Sequence, residues 1–396
     1  MKKPNKNPLL RTGVVTFSSS ILAILVGLLL GFVILLITDS SQAADGFAVI
    51  VRGGFADGMY GIGQVLYFAT PILLTGLSVG FAFKTGLFNI GASGQFILGA
   101  FAAVYVGIKW TWLPGGLHWI TALAAAMVFG GLWGLLPGIL KAYFNVHEVI
   151  SSIMMNYIGM SLVNMLVKQT AGIYNQLQNQ SYPVAQTANI PKWGLDKIFP
   201  YNSMNGGILI AVAFVLIIYV LLNKTTFGYE LKACGYNPHA SKYAGINSKR
   251  NIVLSMAIAG ALSGIGGGLL YLAGSGKYIS VVDSLAAEGF NGIPVALLGL
   301  SNPVGILFAA LFIANITVGG FNLQLYGFVP EVINIITAAI IYFSAFALLF
   351  KSVITKLALR RSREEEEEKD TPPPESPAPP KEENTRTGSG EGGGVQ

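Results

Sequence analysis

The sequence predicts an all-α fold: a polytopic transmembrane helical bundle of about ten spans with both termini cytoplasmic. Three observations predict it. Of 396 residues, 53% are hydrophobic and only 11% charged, where an ordinary soluble domain carries about 25% charged residues. Uncharged apolar runs recur along the chain, each long enough to cross a hydrocarbon layer of roughly 30 Å as a helix. The Lys and Arg residues between those runs are divided unevenly between the two sides, as bilayer insertion favours.

The first run, Phe17 to Ile37, follows Lys2, Lys3, Lys6 and Arg11 and superficially resembles a signal peptide. Its 21 residues exceed a signal core of about 7–15, so it reads as a retained first helix. Nine further spans follow at 64–82, 92–108, 119–140, 146–167, 207–222, 252–273, 286–300, 303–319 and 328–350. With this order, segments on the cytoplasmic side hold fifteen Lys and Arg, counted as far as Arg361, and those on the opposite side six. Trp110, Trp112 and Trp119 cluster at the proposed outer turn between spans three and four, where an interfacial aromatic belt belongs.

Two stretches depart from a lipid-facing helix. Residues 84–95 mix glycines with Asn89 and Gln95, and 286–300 is short and holds Glu288, Gly289, Gly292 and Pro294. Backbone freed by Gly or Pro must be satisfied within protein or by a water-filled cavity, so both stretches are expected to line the interior. Phe88-Asn89 before Gly91 and Phe290-Asn291 before Gly292 form a faint echo compatible with duplicated halves. Gly130, Gly134 and Gly138, and likewise Gly260, Gly264 and Gly268, recur every four residues, a spacing that lets helix backbones approach closely.

The chain divides into an N-terminal segment 1–16, a transmembrane domain 17–350 carrying a cytoplasmic loop 223–251, and a tail 351–396. From Ser362 the tail contains five consecutive glutamates, then TPPPESPAPP, then a Gly/Ser-rich stretch. Such composition buries too little apolar surface to offset chain entropy, so the tail is expected to be disordered.

Several chemistries are disfavoured. The formal charge of +6 resides in short loops rather than on one face, which is topology rather than a nucleic-acid surface. Cys234 alone makes no internal disulfide, and His118, His147 and His239 are too scattered for a metal cluster, so neither metal nor cofactor is expected. A phosphate-binding loop needs G-x-x-x-x-G-K-[ST]; at Gly276-Lys277, Tyr271 stands for the first glycine and Tyr278 for the Ser/Thr. Ion-coupled carriers place charged groups within spans, whereas Glu148, Glu288 and Glu331 lie near span ends. Energy is therefore expected from a separate subunit, with a self-sufficient ion-coupled carrier or a non-transporting scaffold as the rival readings.

Four stretches together resemble one family. They are TGLFNIGASGQFILGAFAA at 85–103, FNVHEVISSIMMNYIG at 144–159, FGYELKACGYNPHASKYAGI at 227–246 and GFNGIPVALLGLSNPVGILFAALF at 289–312. The set is similar to the permease subunits of ATP-binding-cassette importers that serve simple sugars, nucleosides and branched-chain amino acids. The second stretch, with the long N-terminal lead, resembles most the nucleoside branch; simple sugars or branched-chain amino acids are the alternative cargo. The resemblance implies two permease subunits, here expected to be paralogues, two cytoplasmic ATPase subunits and an extracellular substrate-binding lipoprotein. It also implies that residues 229–246 dock into the ATPase through a short coupling helix at Pro238 to Ala244, with Tyr229, Glu230, Gly235, Pro238, Ala244 and Gly245 as the coupling residues. Uncharged solutes of this kind suit Asn and Gln in an apolar site. Asn89, Gln95, Asn156 and Asn291 are therefore the candidate pathway residues, against the alternative that they make helix–helix hydrogen bonds.

Overall fold

A computed structural model describes residues 12–201, 203–274, 276–347 and 349–356; the leading lysines and the acidic, proline-rich segment lie outside them. Apart from a two-residue hairpin, β1 (Tyr174–Asn175) with β2 (Gln180–Ser181), the regular structure is helical. The helices are α1 (Thr12–Thr38), α2 (Ala43–Arg52), α3 (Gly58–Lys84), α4 (Ala92–Lys109), α5 (Gly115–Phe144), α6 (Glu148–Gln169), α7 (Leu195–Ile198), α8 (Gly207–Lys224), α9 (Thr226–Tyr236), α10 (Pro238–Tyr243), α11 (Ser248–Tyr271), α12 (Ala287–Leu298), α13 (Pro303–Asn322) and α14 (Pro330–Ser344). A further helical stretch, 349–356, runs six residues into the segment expected to be a tail.

Eight helical segments among the described residues are long and apolar enough to cross a membrane. They match eight of the ten sequence spans, and the other two coincide with shorter helices. α12 covers 12 residues, about 18 Å at 1.5 Å per residue, because Gly289, Gly292 and Pro294 weaken its helical tendency and irregular chain at 272–274 and 276–286 precedes it. α14 covers 15 residues. α2, which lies between the first two spans, was not expected from the sequence. Its buried Ala43, Gly46 and Ile50 share one face, and Asn315 of α13 fixes its end by accepting from Gly54 N at 3.0 Å and donating to Val51 O at 3.1 Å.

The two glycine series pack against each other. A methyl group at Gly130 would lie 2.5 Å from Gly260 O, and one at Gly264 would lie 2.9 Å from Gly130 Cα. The backbones of α5 and α11 therefore touch with no side chain between them, which supplies dispersion where lipid gives no hydrophobic drive. α3 and α4 are buried almost throughout, whereas α1, α6 and α8 expose most of their apolar surface. The bundle thus places its least polar exteriors where lipid tails replace water.

Contacts sort the helix ends into two groups. At one end, residues 170–201 and 203–206 cap the bundle: Ala185 N donates to Gly107 O, Ser181 N to Ile279 O and Ile190 N to Leu272 O, each at 2.9 Å. Trp193 of this cap meets Trp119 edge-on at 5.9 Å, and Trp110 lies 6.1 Å from Trp112. The opposite end carries α9, α10, the turn after α3 and the start of α11.

Candidate functional site

α12 is seated by its glycines. A methyl group at Gly292 would lie 2.5 Å from the Thr75 carbonyl carbon, and one at Gly289 2.7 Å from Ser93 N. Thr75 Oγ1 donates to Glu288 O and Ser93 Oγ to Ala286 O, both at 2.9 Å. One face of α12 therefore lies bare against α3 and α4, and Asn291 and Pro294 are presented on the other.

That other face opens onto a cavity of about 700 Å³ shared with α13 and α14. Its polar lining is Asn291, Thr317, Asn334, Thr337 and Tyr342, and it contains no charged residue. Thr317 Oγ1 is occupied by Ile313 O at 2.9 Å. The side chains of Asn291, Asn334 and Thr337 have no hydrogen-bond partner among the described residues. Volume, apolar walls and a few unpaired neutral donors and acceptors are the attributes of a small-molecule site.

The other three candidate amides are differently engaged. Asn89 Nδ2 donates to Gln95 Oε1 at 2.8 Å and to Ser78 Oγ at 3.0 Å, while Gln95 Nε2 donates back to Asn89 Oδ1 at 3.1 Å. Asn156 Oδ1 accepts from Gly94 N at 2.8 Å, and its Nδ2 donates to Ile90 O at 3.0 Å. All three are buried. Together they clasp the irregular chain between α3 and α4 onto α6 and satisfy backbone groups that no helix ladder serves.

At the opposite end from the Trp-rich cap, the coupling segment folds into two short helices. Thr225 caps α9 by accepting from Gly228 N at 3.0 Å. Asn237 caps α10 by accepting from His239 N at 3.1 Å and Ala240 N at 3.0 Å, and Pro238 fills the first helical position, where its missing N–H costs nothing. Gly245 ends the segment at φ 79°, a conformation glycine adopts without steric cost. Glu230 faces Arg250 at 3.7 Å and accepts from Asn251 at 3.3 Å. Tyr229, Tyr236 and Tyr243 are exposed, the last two at 90% and 95%. Gly235 faces inward instead: a methyl group there would lie 2.8 Å from Gly86 N.

The family described as branched-chain amino acid transport system, permease component, matches residues 61–345. This chain belongs to that permease family. It is accordingly a multi-pass protein of the cell membrane and a transport component rather than an enzyme. Among curated relatives, the guanosine ABC transporter permease protein NupP of Bacillus subtilis is 39% identical over 85% of this chain and 95% of its own length. The nucleoside ABC transporter permease protein NupB of Lactococcus lactis subsp. cremoris is 35% identical over 76% of this chain and 84% of its own. The glucose ABC transporter permease protein TsgB13 of Haloferax volcanii is 31% identical over 87% and 91%. The organisms of the first two also carry a second permease protein bearing the same transporter description, each 28% identical to this chain. No solved structure matches the chain significantly.

Of the four amides named from the sequence of this permease, Asn291 lines the cavity; Asn89, Gln95 and Asn156 join the clasp. Sequence reasoning passed over Thr317, Asn334 and Thr337. The last two were detectable as polar residues three apart in the otherwise apolar run 332–341. It also passed over Tyr236 and Tyr243, two aromatic residues seven apart in the most polar loop of the permease.

Proposed function

We propose that this permease is one of two membrane subunits of a nucleoside importer, driven by separate cytoplasmic ATPase subunits and supplied by an external binding lipoprotein. The observation that carries the reading is the uncharged cavity: Asn291, Asn334 and Thr337 offer unpaired neutral groups beside the rings of Tyr342 and Phe346. A nucleoside presents neutral hydroxyls, base edges and a flat ring, which these groups complement. A zwitterionic amino acid would need its charges paired in so apolar a site, and the lining has no charge to give. The names of the guanosine and nucleoside relatives agree with this choice.

In this reading both termini and α9–α10 face the cytoplasm. ATPase closure pushes on the exposed Tyr236–Tyr243 surface, and Gly235 passes the displacement to the turn at Gly86. The clasp holds that turn to α6, and Thr75 and Ser93 tie α3 and α4 to α12. Movement of α12 then opens the cavity to one side or the other, a bistable element biased by a distant site. The second permease subunit closes the cavity's open side; a paralogue fits the paired permeases of the relatives' organisms.

A second reading, sugar import, is favoured by the glucose relative, since neutral amides and aromatic rings also suit sugar hydroxyls. Uptake of radiolabelled guanosine, uridine, glucose and leucine in cells with the gene deleted and restored separates the readings. Loss and recovery of nucleoside uptake alone is expected. Loss of glucose uptake with normal nucleoside uptake would replace nucleoside by sugar, and transport by the purified chain alone under an ion gradient would overturn ATP coupling.

A further inference from the structure

At the coupling end, a second pocket of about 360 Å³ lies between α3, α9, α12 and the helical stretch 349–356. Three ammonium groups converge on it: Lys84, Lys232 and Lys351. Each side chain is half-buried, and Lys84 feels the positive charge of both others. Among the described residues none of the three forms an ion pair. The acidic groups at this end are committed elsewhere, Glu148 to Lys141 at 2.9 Å and Glu230 to Arg250. Three like charges gathered in a partly dehydrated pocket cost free energy unless an anion occupies it.

The chain carries a matching anion. Ten of its 19 acidic residues lie from Glu364 onward, beginning with five consecutive carboxylates. Glu364 lies eight positions after Lys356, up to roughly 27 Å of extended chain. A run tethered so closely to Lys351 competes at an effective concentration in the mM range, an advantage that no anion free in solution has.

We propose that Glu364–Glu368 docks in the pocket formed by Lys84, Lys232 and Lys351 and acts as an internal brake on the permease. The pocket shares Leu297 with the 700 Å³ cavity and Gly235 with the coupling segment. A docked carboxylate run therefore sits between the cavity and the ATPase-facing helices and holds α12 and α9 together. Because the contact is electrostatic and near the surface, salt weakens it. The docking stands on the lysine geometry alone; only the braking rests on the importer reading, and the experiment reads the two separately.

The test compares the full chain with a variant in which Glu364–Glu368 are all replaced by Gln, in nanodiscs of neutral lipid. Acetylation rates of individual lysines are followed by mass spectrometry, with Lys224, Lys242 and Lys249 as internal controls. The expected result is severalfold slower modification of Lys84, Lys232 and Lys351 in the parent chain, relieved by the Gln variant and by high salt, with carbodiimide cross-links from the glutamate run to those lysines. Equal reactivity in both chains would overturn the docking and show that the run pairs with its own Arg360, Arg361 and Arg363 or with water. Protection that appears only in anionic lipid and ignores the variant would assign the pocket to a lipid headgroup instead. With docking observed, the assembled transporter carrying the Gln variant is expected to hydrolyse ATP severalfold faster at low salt; an unchanged rate would refute the brake and leave the docking standing.

Discussion

Gly235→Ala tests how the coupling segment reaches the membrane domain. The new methyl group would stand 2.8 Å from Gly86 N, 2.8 Å from the Thr85 carbonyl carbon and 3.0 Å from Lys84 O. All three are backbone atoms that no rotamer change can move aside. Restoring contacts of about 3.5 Å displaces α9 from the turn by roughly 0.5–0.7 Å. Overpacking of this size costs about 1–3 kcal/mol of stability, and a changed contact on a coupling route alters the coupling by about 0.5–2 kcal/mol, or roughly 2- to 30-fold. The assay is solute uptake and ATP hydrolysis measured in the same proteoliposomes, with Gly116→Ala, where a methyl group meets nothing within 4 Å, as the control. Hydrolysis should persist while uptake per ATP falls by that factor. Unchanged uptake per ATP would refute the route through Gly86. Loss of ATPase binding would make Gly235 a docking residue instead.

Three further outcomes are expected. Asn334→Ala removes one unpaired amide from the cavity and should raise the half-saturating solute concentration about 2- to 10-fold, the worth of one hydrogen bond, with ATP hydrolysis in the absence of solute unchanged. Asn156→Ala leaves Gly94 N and Ile90 O without partners and should cost about 1–3 kcal/mol of stability, read as a lowered melting temperature in detergent. Tyr236→Ala combined with Tyr243→Ala should weaken capture of the ATPase subunit by about 2 kcal/mol or more, as buried aromatic anchors do, measured by pull-down against salt-washed membranes; normal capture would move the docking surface elsewhere.

Much of the bundle was legible because its physics is one-dimensional. Apolar length alone gave the long spans, and four-residue spacing marked both glycine series that press α5 onto α11. Residues 84–95 and 286–300 declared themselves interior through glycines and amides, and both are, with Ser93 and Gly289 in contact across them. What composition does not encode is where a polar side chain spends its hydrogen bonds. Asn89 and Asn291 sit in the same Phe-Asn echo, yet Asn89 is consumed by Gln95 and Ser78 while Asn291 has no partner among the described residues and lines the cavity. The difference lies in what each Asn meets across helices distant in sequence.

The same limit hid α2, the inward packing of Gly235, which was expected only as a docking residue, and the exposure of Tyr236. α2 has ten residues, too few to register as a span, and takes its place from Asn315, more than 260 positions away. Gly235 and Tyr236 are adjacent in a polar loop, and the local sequence does not say which of them faces the bundle. The close approach of Gly86 turns the first inward, and α9 leaves the second at the surface. In the proposed reading the first residue transmits motion and the second receives the ATPase. Substituting each separately should split coupling from binding: Gly235→Ala lowers uptake per ATP with the ATPase still attached, whereas Tyr236→Ala releases the ATPase but leaves uptake per ATP unchanged in the complexes that remain.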